Sequence, residues 1–329
     1  MKLHEDKKLF QDAVRATSEF KDIREVYIEK DYWVTFALKT IFSDPVGKDT
    51  IFKGGTALSK CFNLIERFSE DIDLVVIRRE GDSDNALKNK IRDVSKAVES
   101  VLPEVEIEGI TRKRGNNRKT AHTYSKEFSG EFGQVRNTII VEASWLGSSE
   151  PNTEQHLSTY IYEMMKAKGQ SDMAEKYDLL PFELKVLAVR RTLCEKIMSL
   201  VRFSHTEEPI TDLRNKIRHT YDLHLMLKDK DVQTFFESDD FDRLLKTVAR
   251  DDVASYRSDV EWLAIHPVEA IIFRNLDKVW GQLKNMYEQD FQYLVFGELP
   301  KQEDIHGSLT KIKTRLHEID WDIEPDKEA

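Results

Sequence analysis

Residues 51–77 read IFKGGTALSKCFNLIERFSEDIDLVVI, and this stretch decides the fold. A short apolar start, Ile51-Phe52, runs into Gly54-Gly55. A helical pattern, TALSKCFNLIERF, follows the glycines, and a compact apolar strand, Ile72 to Ile77, follows the helix. Glycine lets a backbone approach a ligand closely. A helix N-terminus presents free N–H groups and the positive end of a dipole, which suits phosphate. Gly54, Gly55 and Thr56 are therefore candidate nucleotide contacts, although alone they read more simply as a strand-to-helix turn capped by Thr56. Lys60 is a further candidate. It does not complete a Walker-type loop, because Ser59 stands where that loop has glycine.

Asp71 and Asp73 open the strand. Strand residues two apart share a face, so both carboxylates project together. Like charges held that close raise each other's pKa unless a cation sits between them, and carboxylate oxygens are the ligands that hard Mg²⁺ prefers. An isolated Asp-x-Asp reads as a turn cap beside a solvated strand end. Behind a Gly-Gly turn and helix, a metal site is the stronger reading. Glu142 lies in TIIVEASWL, among residues that want burial. Either it joins Asp71 and Asp73 at the metal, which we prefer, or it faces solvent on an edge strand.

Upstream, Ile28, Tyr32, Phe36, Leu38 and Ile41 recur at helical spacing until Asp44-Pro45-Val46-Gly47 breaks the pattern. Downstream, EGDSDNALKNK leads into a helix expected to reach Val101, before Pro103. VEIEGITRK and the segment after Gly115-Asn116-Asn117 look like hairpin arms, and TIIVEASWL is a strong strand. The loop GSSEPNTEQH suggests a domain boundary near 150. Beyond it the chain reads as mostly helical, with an alternating strand at FELKVLAV. RTLCEKIMSLVRF, LRNKIRHTYDLHLML, VEAIIFRNLDKVWGQLKNMY and GSLTKIKTRLHEI are the helical candidates. No internal repeat is visible.

Composition narrows the function classes. With 40% hydrophobic residues, a chain disordered throughout is excluded. No apolar run approaches the roughly 18 residues of a membrane helix, and MKLHEDKKLF lacks an apolar signal core. Only Cys61 and Cys194 occur, so a disulfide scaffold or multi-cysteine zinc site is excluded and a cytoplasmic location is expected. Lys plus Arg number 50 against 60 Asp plus Glu, which disfavours wholesale coating of nucleic acid. Yet no acid interrupts Gly109 to Lys126, a stretch holding Arg112, Lys113, Arg114, Arg118 and Lys119. Such a cationic hairpin could track an RNA backbone, with His122 or Tyr124 stacking on a base. A solvated hairpin tip is the competing reading.

The Gly-Gly turn, helix and Asp-x-Asp strand resemble the nucleotidyltransferase fold shared by DNA polymerase β-like enzymes. The fuller runs KGGTALSK and RFSEDIDLVV, with EKDYWV upstream, resemble the AbiEii/AbiGii toxin family of type IV toxin–antitoxin and abortive-infection systems. CEKIMSLVR resembles that family's third motif, with Lys196 and, six residues on, Arg202. RHTYDL resembles the fourth, with Asp222 as its acid. The wider superfamily often has Gly-Ser at the turn, so here Thr56 or backbone N–H groups must replace the serine hydroxyl.

The resemblance implies an α+β fold. A mixed-sheet nucleotidyltransferase domain would occupy residues 1–150. A mainly helical C-terminal domain would occupy 151–329, with the active site in the cleft between them. It implies Mg²⁺-dependent transfer of NMP from an NTP, with pyrophosphate leaving. Asp71 and Asp73 would hold metal, and Gly54, Gly55 and Thr56 would cradle the β- and γ-phosphates. Lys196 would neutralise the triphosphate, and Arg202 would assist binding. Asp222 would act as base or orient Lys196. Some relatives add nucleotides to the tRNA 3′ end, which implies tRNA as acceptor and a cognate antitoxin as partner. The alternatives are transfer to a protein or small molecule, and a catalytically silent binding partner in a defence complex. Without the resemblance, Lys196 reads as a solvated helix lysine, and Arg218 with Asp222 as an intrahelical pair. His219 and His224 read as helix-surface residues, and the C-terminal Trp and Phe residues as core.

Overall fold

Short apolar strands around 51, 74 and 141 form the centre of a mixed sheet. The computed structural model describes residues 1–69, 71–113, 115–129, 137–255 and 260–324; Arg114 lies outside them. The strands are β1 (Thr50–Lys53), β2 (Asp71–Val76), β3 (Glu104–Val105), β4 (Asn117–His122), β5 (Ile139–Ser144), β6 (Asn152–Leu157) and β7 (Phe182–Leu187). They form one seven-stranded sheet in the order β3-β4-β5-β2-β1-β7-β6. β2 runs antiparallel to β1 and parallel to β5, and β1 runs parallel to β7. β4 is antiparallel to both β3 and β5. The α+β class expected from sequence is what the chain adopts.

The helices are α1 (Lys7–Lys21), α2 (Glu25–Ser43), α3 (Gly54–Lys60), α4 (Asp84–Glu99), α5 (Tyr160–Ala167), α6 (Ser171–Lys176) and α7 (Val189–Phe203). There follow α8 (Pro209–Asn215), α9 (Ile217–Met226), α10 (Lys230–Phe236), α11 (Asp239–Ser255), α12 (Ile271–Arg274), α13 (Leu276–Gln289) and α14 (Gln302–His317). The helix expected over TALSKCFNLIERF ends at Lys60, and Asn63 adopts a left-handed conformation with φ 52°, which asparagine tolerates. The helix expected over LRNKIRHTYDLHLML breaks at Lys216, which has φ −106° and ψ 13°. One non-helical residue barely disturbs a three-to-four spacing, so periodicity does not reveal such a break. No helix among the described residues is long and apolar enough to cross a membrane.

The chain divides into two units. The first comprises Met1–Phe62, Phe68–Trp145 and Asn152–Val186; the second comprises Asn63–Arg67, Leu146–Pro151 and Leu187–Ala329. Instead of one boundary near 150, the segment that carries β6 and most of β7 joins the first unit, because β7 bonds to β1.

In the first unit, α4 packs on β4, β5 and β2. Ser83 caps it, its Oγ accepting from Ala86 N at 3.2 Å. Leu87, Ile91, Val94 and Val98 form its buried face. α2 is almost wholly buried, including Glu29, Lys30 and Asp31. Buried charges persist only when partnered, and each of these has a partner. The Glu29 carboxylate accepts from Glu127 N at 2.7 Å and Phe128 N at 3.3 Å. Lys30 Nζ donates to the Thr138 carbonyl at 2.8 Å. Asp31 pairs with Lys60 and accepts from Tyr160 N at 2.8 Å. EKDYWV is therefore a structural latch. In the second unit, α7 packs on α9 and α11, and α13 on α14. Phe235, Phe236, Phe241, Phe273, Trp280 and Phe291 lie in the core, as expected.

Candidate active site

One rung of charged residues crosses four adjacent strands. Lys53 of β1 is the register partner of Asp73 on β2, Asp73 of Glu142 on β5, and Glu142 of Lys119 on β4. Register partners share a face. Asp71, two residues from Asp73, shares it too, while Ile72 and Leu74 point into the core. Burial pushes the Asp73 carboxyl up to about 7, and Asp71 and Glu142 add to this. The charges of Lys53 and Lys119 offset it only in part. Gly54 makes room for this carboxylate. It has φ +83°, and a Cβ there would lie 2.2 Å from Asp73 Oδ2.

A hard divalent cation fits the Asp71–Asp73 pair. It would offset the burial, and the repulsion from Asp71, that raise Asp73, and Mg²⁺ characteristically takes one or two carboxylates plus substrate phosphate and water. Glu142 is differently engaged. Its Oε1 accepts from Asn117 Nδ2 at 2.6 Å and its Oε2 from Lys119 Nζ at 3.0 Å. Among the described residues, no three His, Cys, Asp or Glu side chains form a group arranged to hold a metal ion.

The remaining nucleotide candidates of this unit divide. Gly54 and Gly55 begin α3 beside the carboxylates. Thr56 is buried, and its hydroxyl donates to the Asp71 carbonyl at 2.6 Å. It ties the helix to the start of β2. Lys60 is directed inward. Its ammonium pairs with Asp31 and lies 4.8 Å from the Tyr160 ring centroid, with the side chain 5% exposed.

Lys196 and Asp222 meet within the second unit, on α7 and α9. Lys196 Nζ donates to Asp222 Oδ2 at 2.7 Å and lies 3.4 Å from His219 Nδ1. Arg67 completes the group, its Nε donating to Oδ1 at 2.6 Å and its Nη2 to Oδ2 at 2.8 Å. Burial alone would raise the Asp222 pKa, but the charges of Arg67 and Lys196 hold it well below the usual carboxylate range. A carboxylate so stabilised is a poor proton acceptor and a good anchor. Burial, reinforced by Lys196, keeps His219 neutral. Arg202 lies on α7 with its guanidinium 4.9 Å from the Phe203 ring centroid. His224 is buried, with Nδ1 2.8 Å from Ser308 Oγ.

Arg67 was missed as a site residue, although it stands in the RFSEDIDLVV run. Its partner is 155 residues away, and local spacing cannot show that. Lys53 was also missed; only the β1–β2 register places it beside Asp73.

The basic hairpin is less cationic than its sequence. Lys113 Nζ pairs with Glu104 at 2.5 Å and Glu106 at 3.3 Å. Arg118 Nε donates to Ser95 Oγ at 2.9 Å, and Lys119 pairs with Glu142. The stretch itself holds no acid, but folding brings acids to it from β3 and β5. Arg112 and Lys113 are exposed. The stacking expected of His122 and Tyr124 is corrected, because both rings are buried. His122 sits between the Leu102 carbonyl and Thr120 Oγ1, and Tyr124 stacks on Trp33.

A family model described as nucleotidyl transferase AbiEii toxin, type IV toxin–antitoxin system, matches residues 37–307. No curated protein matches the sequence. Among solved structures, the chain is similar to MenT4, a nucleotidyltransferase toxin from Mycobacterium tuberculosis. The identity is 15% and the TM-score 0.42, over 86% of this chain and 94% of that one.

Proposed function

The chain belongs to the AbiEii nucleotidyltransferase toxin family of type IV toxin–antitoxin systems, and from that premise we propose that it transfers NMP from an NTP to RNA, at the tRNA 3′ end, with Mg²⁺ held by Asp71 and Asp73. The observation that carries this reading is the acidic pair on one face of β2, with Gly54 shaped around the Asp73 carboxylate. Bound there, Mg²⁺ supplies Lewis-acid stabilisation of the α-phosphate and the leaving pyrophosphate.

The chain's own groups do the rest. Gly54 and Gly55 let backbone N–H groups approach phosphate. The family resemblance assigns Lys196 to the triphosphate, but within the second unit its ammonium is buried against Asp222, which Arg67 also holds, so here it is read as an internal ion-pair partner. Asp222 acts as an orienting group, because both its oxygens accept charge-assisted hydrogen bonds. Among the described residues of the hairpin, Arg112 is the exposed basic residue offered to RNA, whereas Lys60 serves the interior.

The pairing of Lys113, Arg118 and Lys119 with side chains of the protein favours a second reading, in which the acceptor is a protein or small molecule. One experiment separates the two. Purified protein is incubated with total tRNA or with a protein extract, Mg²⁺ and each α-labelled NTP, beside an Asp71→Ala/Asp73→Ala control. Label on tRNA that the control lacks supports the first reading. Label on protein alone replaces it with the second, and no dependence on Asp71 and Asp73 refutes both.

A further inference from the structure

The superfamily pattern invites a third carboxylate at the metal, and Glu142 stands in the place for it. The structure shows a different engagement. Asn117 and Lys119 are two apart on β4, so they present their side chains to one face. Together they occupy both oxygens of Glu142, at 2.6 and 3.0 Å. Asn117 Oδ1 is buried without a hydrogen-bond partner, so the amide is oriented by its donor end, toward Glu142. Lys119 then stands two strands from Asp73, on the same face of the sheet.

We propose that Glu142 is not a metal ligand in this chain but the positioning residue for Lys119, whose ammonium is thereby held on the same face of the sheet as the Asp71–Asp73 pair, to contact the phosphates of the nucleotide. This rests on the assignment of Asp71 and Asp73 to the metal. Two carboxylates suffice for Mg²⁺, since phosphate and water complete its shell. A lysine is a point cation with three donors. Unanchored, it would sample many rotamers; held by Glu142, it keeps one donor on the anchor and has two left for phosphate oxygens. The same pairing explains why a basic residue of the hairpin is partly covered rather than extended into solvent.

The test is a set of binding measurements on the full chain that need no acceptor. Mn²⁺ binding is followed by the spin resonance of the free ion. Affinity for non-hydrolysable NTP analogues of all four bases is followed by calorimetry with Mg²⁺ present. Glu142→Gln/Lys119→Met keeps the net charge and is expected to hold Mn²⁺ within about threefold of wild type. Its affinity for the preferred analogue should fall about tenfold, as for loss of one charge-assisted hydrogen bond. Glu142→Gln and Lys119→Met alone should each weaken the analogue by about as much as the pair, because the two residues act as one unit. Lys119→Arg should restore part of the loss.

A tenfold or greater loss of Mn²⁺ affinity in the paired variant overturns the inference, and so does unchanged analogue affinity. Asp71→Asn/Asp73→Asn is the reference. If it keeps wild-type Mn²⁺ affinity, the metal assignment fails at its source and takes the inference with it. Thermal melts of each variant exclude loss of fold as the cause.

Discussion

Arg67 grips Asp222 through two parallel hydrogen bonds, Nε to Oδ1 at 2.6 Å and Nη2 to Oδ2 at 2.8 Å. Lys196 shares the second oxygen at 2.7 Å. All three side chains are at least 94% covered, so the cluster is a fixed interior object. Removing one member leaves a buried charge without its partner, which typically costs about 3–5 kcal/mol.

Arg67→Leu is therefore expected to destabilise the protein by about that amount, with a matching fall in the urea midpoint at neutral pH. Asp222→Asn should do the same, and the pH dependence tests the cause. The folded pKa of Asp222 lies below its unfolded value. Its contribution is thus complete above the unfolded pKa of about 4 and is lost as pH falls further. The gap between wild type and Asp222→Asn should be flat from pH 5 to 8 and narrow only in acid. A gap that changes near pH 6 to 7 would assign the effect to another group.

Asp73 has the opposite sign. Its folded pKa, about 7, stands above the unfolded value. Without metal its ionised form costs stability, and the cost grows as pH rises from about 4 through 7. Asp73→Asn should therefore stabilise the chelator-treated protein at pH 8 by about 1–3 kcal/mol, allowing for partial exposure, and change little at pH 4. Excess Mg²⁺ at pH 8 should raise the Tm of wild type more than that of the variant.

Gly54→Ala combines a left-handed backbone with a clash. A Cβ would lie 2.2 Å from Asp73 Oδ2, so the carboxylate must move. Gly81 supplies the control, with φ +86° and nothing within 4 Å of a Cβ. Both alanine variants should lose about 1–2 kcal/mol from backbone strain. Only Gly54→Ala should also lose Mn²⁺ affinity and transfer activity. Equal Mn²⁺ affinity in the two variants would count against the role given to Gly54.

Lys60→Met tests whether that lysine is structural or binds nucleotide. Because its ammonium pairs with Asp31 in the interior, the variant should lose about 3–5 kcal/mol. Lys60→Met/Asp31→Asn should recover much of the loss, since no unpaired charge remains. Affinity for NTP analogues should be unchanged in the folded double variant. A large drop in that affinity with stability intact would return Lys60 to the phosphates.

Much of this was legible in local sequence because the deciding elements are local. Two-residue alternation puts Asp71 and Asp73 on one face, and glycine at 54 marks a close approach before the partner is known. The run from Ile51 to Ile77 thus specifies strand, turn, helix start and acidic strand from neighbouring residues alone. The resemblance over the later motifs pointed to Lys196 and Asp222. What spacing could not show was the partner of each charge. Lys60 looks like a phosphate contact until Asp31, 29 residues earlier, is seen beside it. Lys119 looks like part of a free basic patch until Glu142, 23 residues on, occupies it.

The sequence by itself determined the acidic pair on one face of a strand and the glycine turn before it, because backbone periodicity and steric permission are properties of a few adjacent residues; the α+β class came from the family resemblance those residues carry. Tertiary structure alone decided which lysines are internal ion-pair partners, that Arg67 belongs with Asp222, and that Glu142 faces Lys119. The physical reason is that a charge on a chain is indifferent to sequence distance. Its role is set by whichever opposite charge the fold brings within hydrogen-bond reach and by how much water is removed on the way.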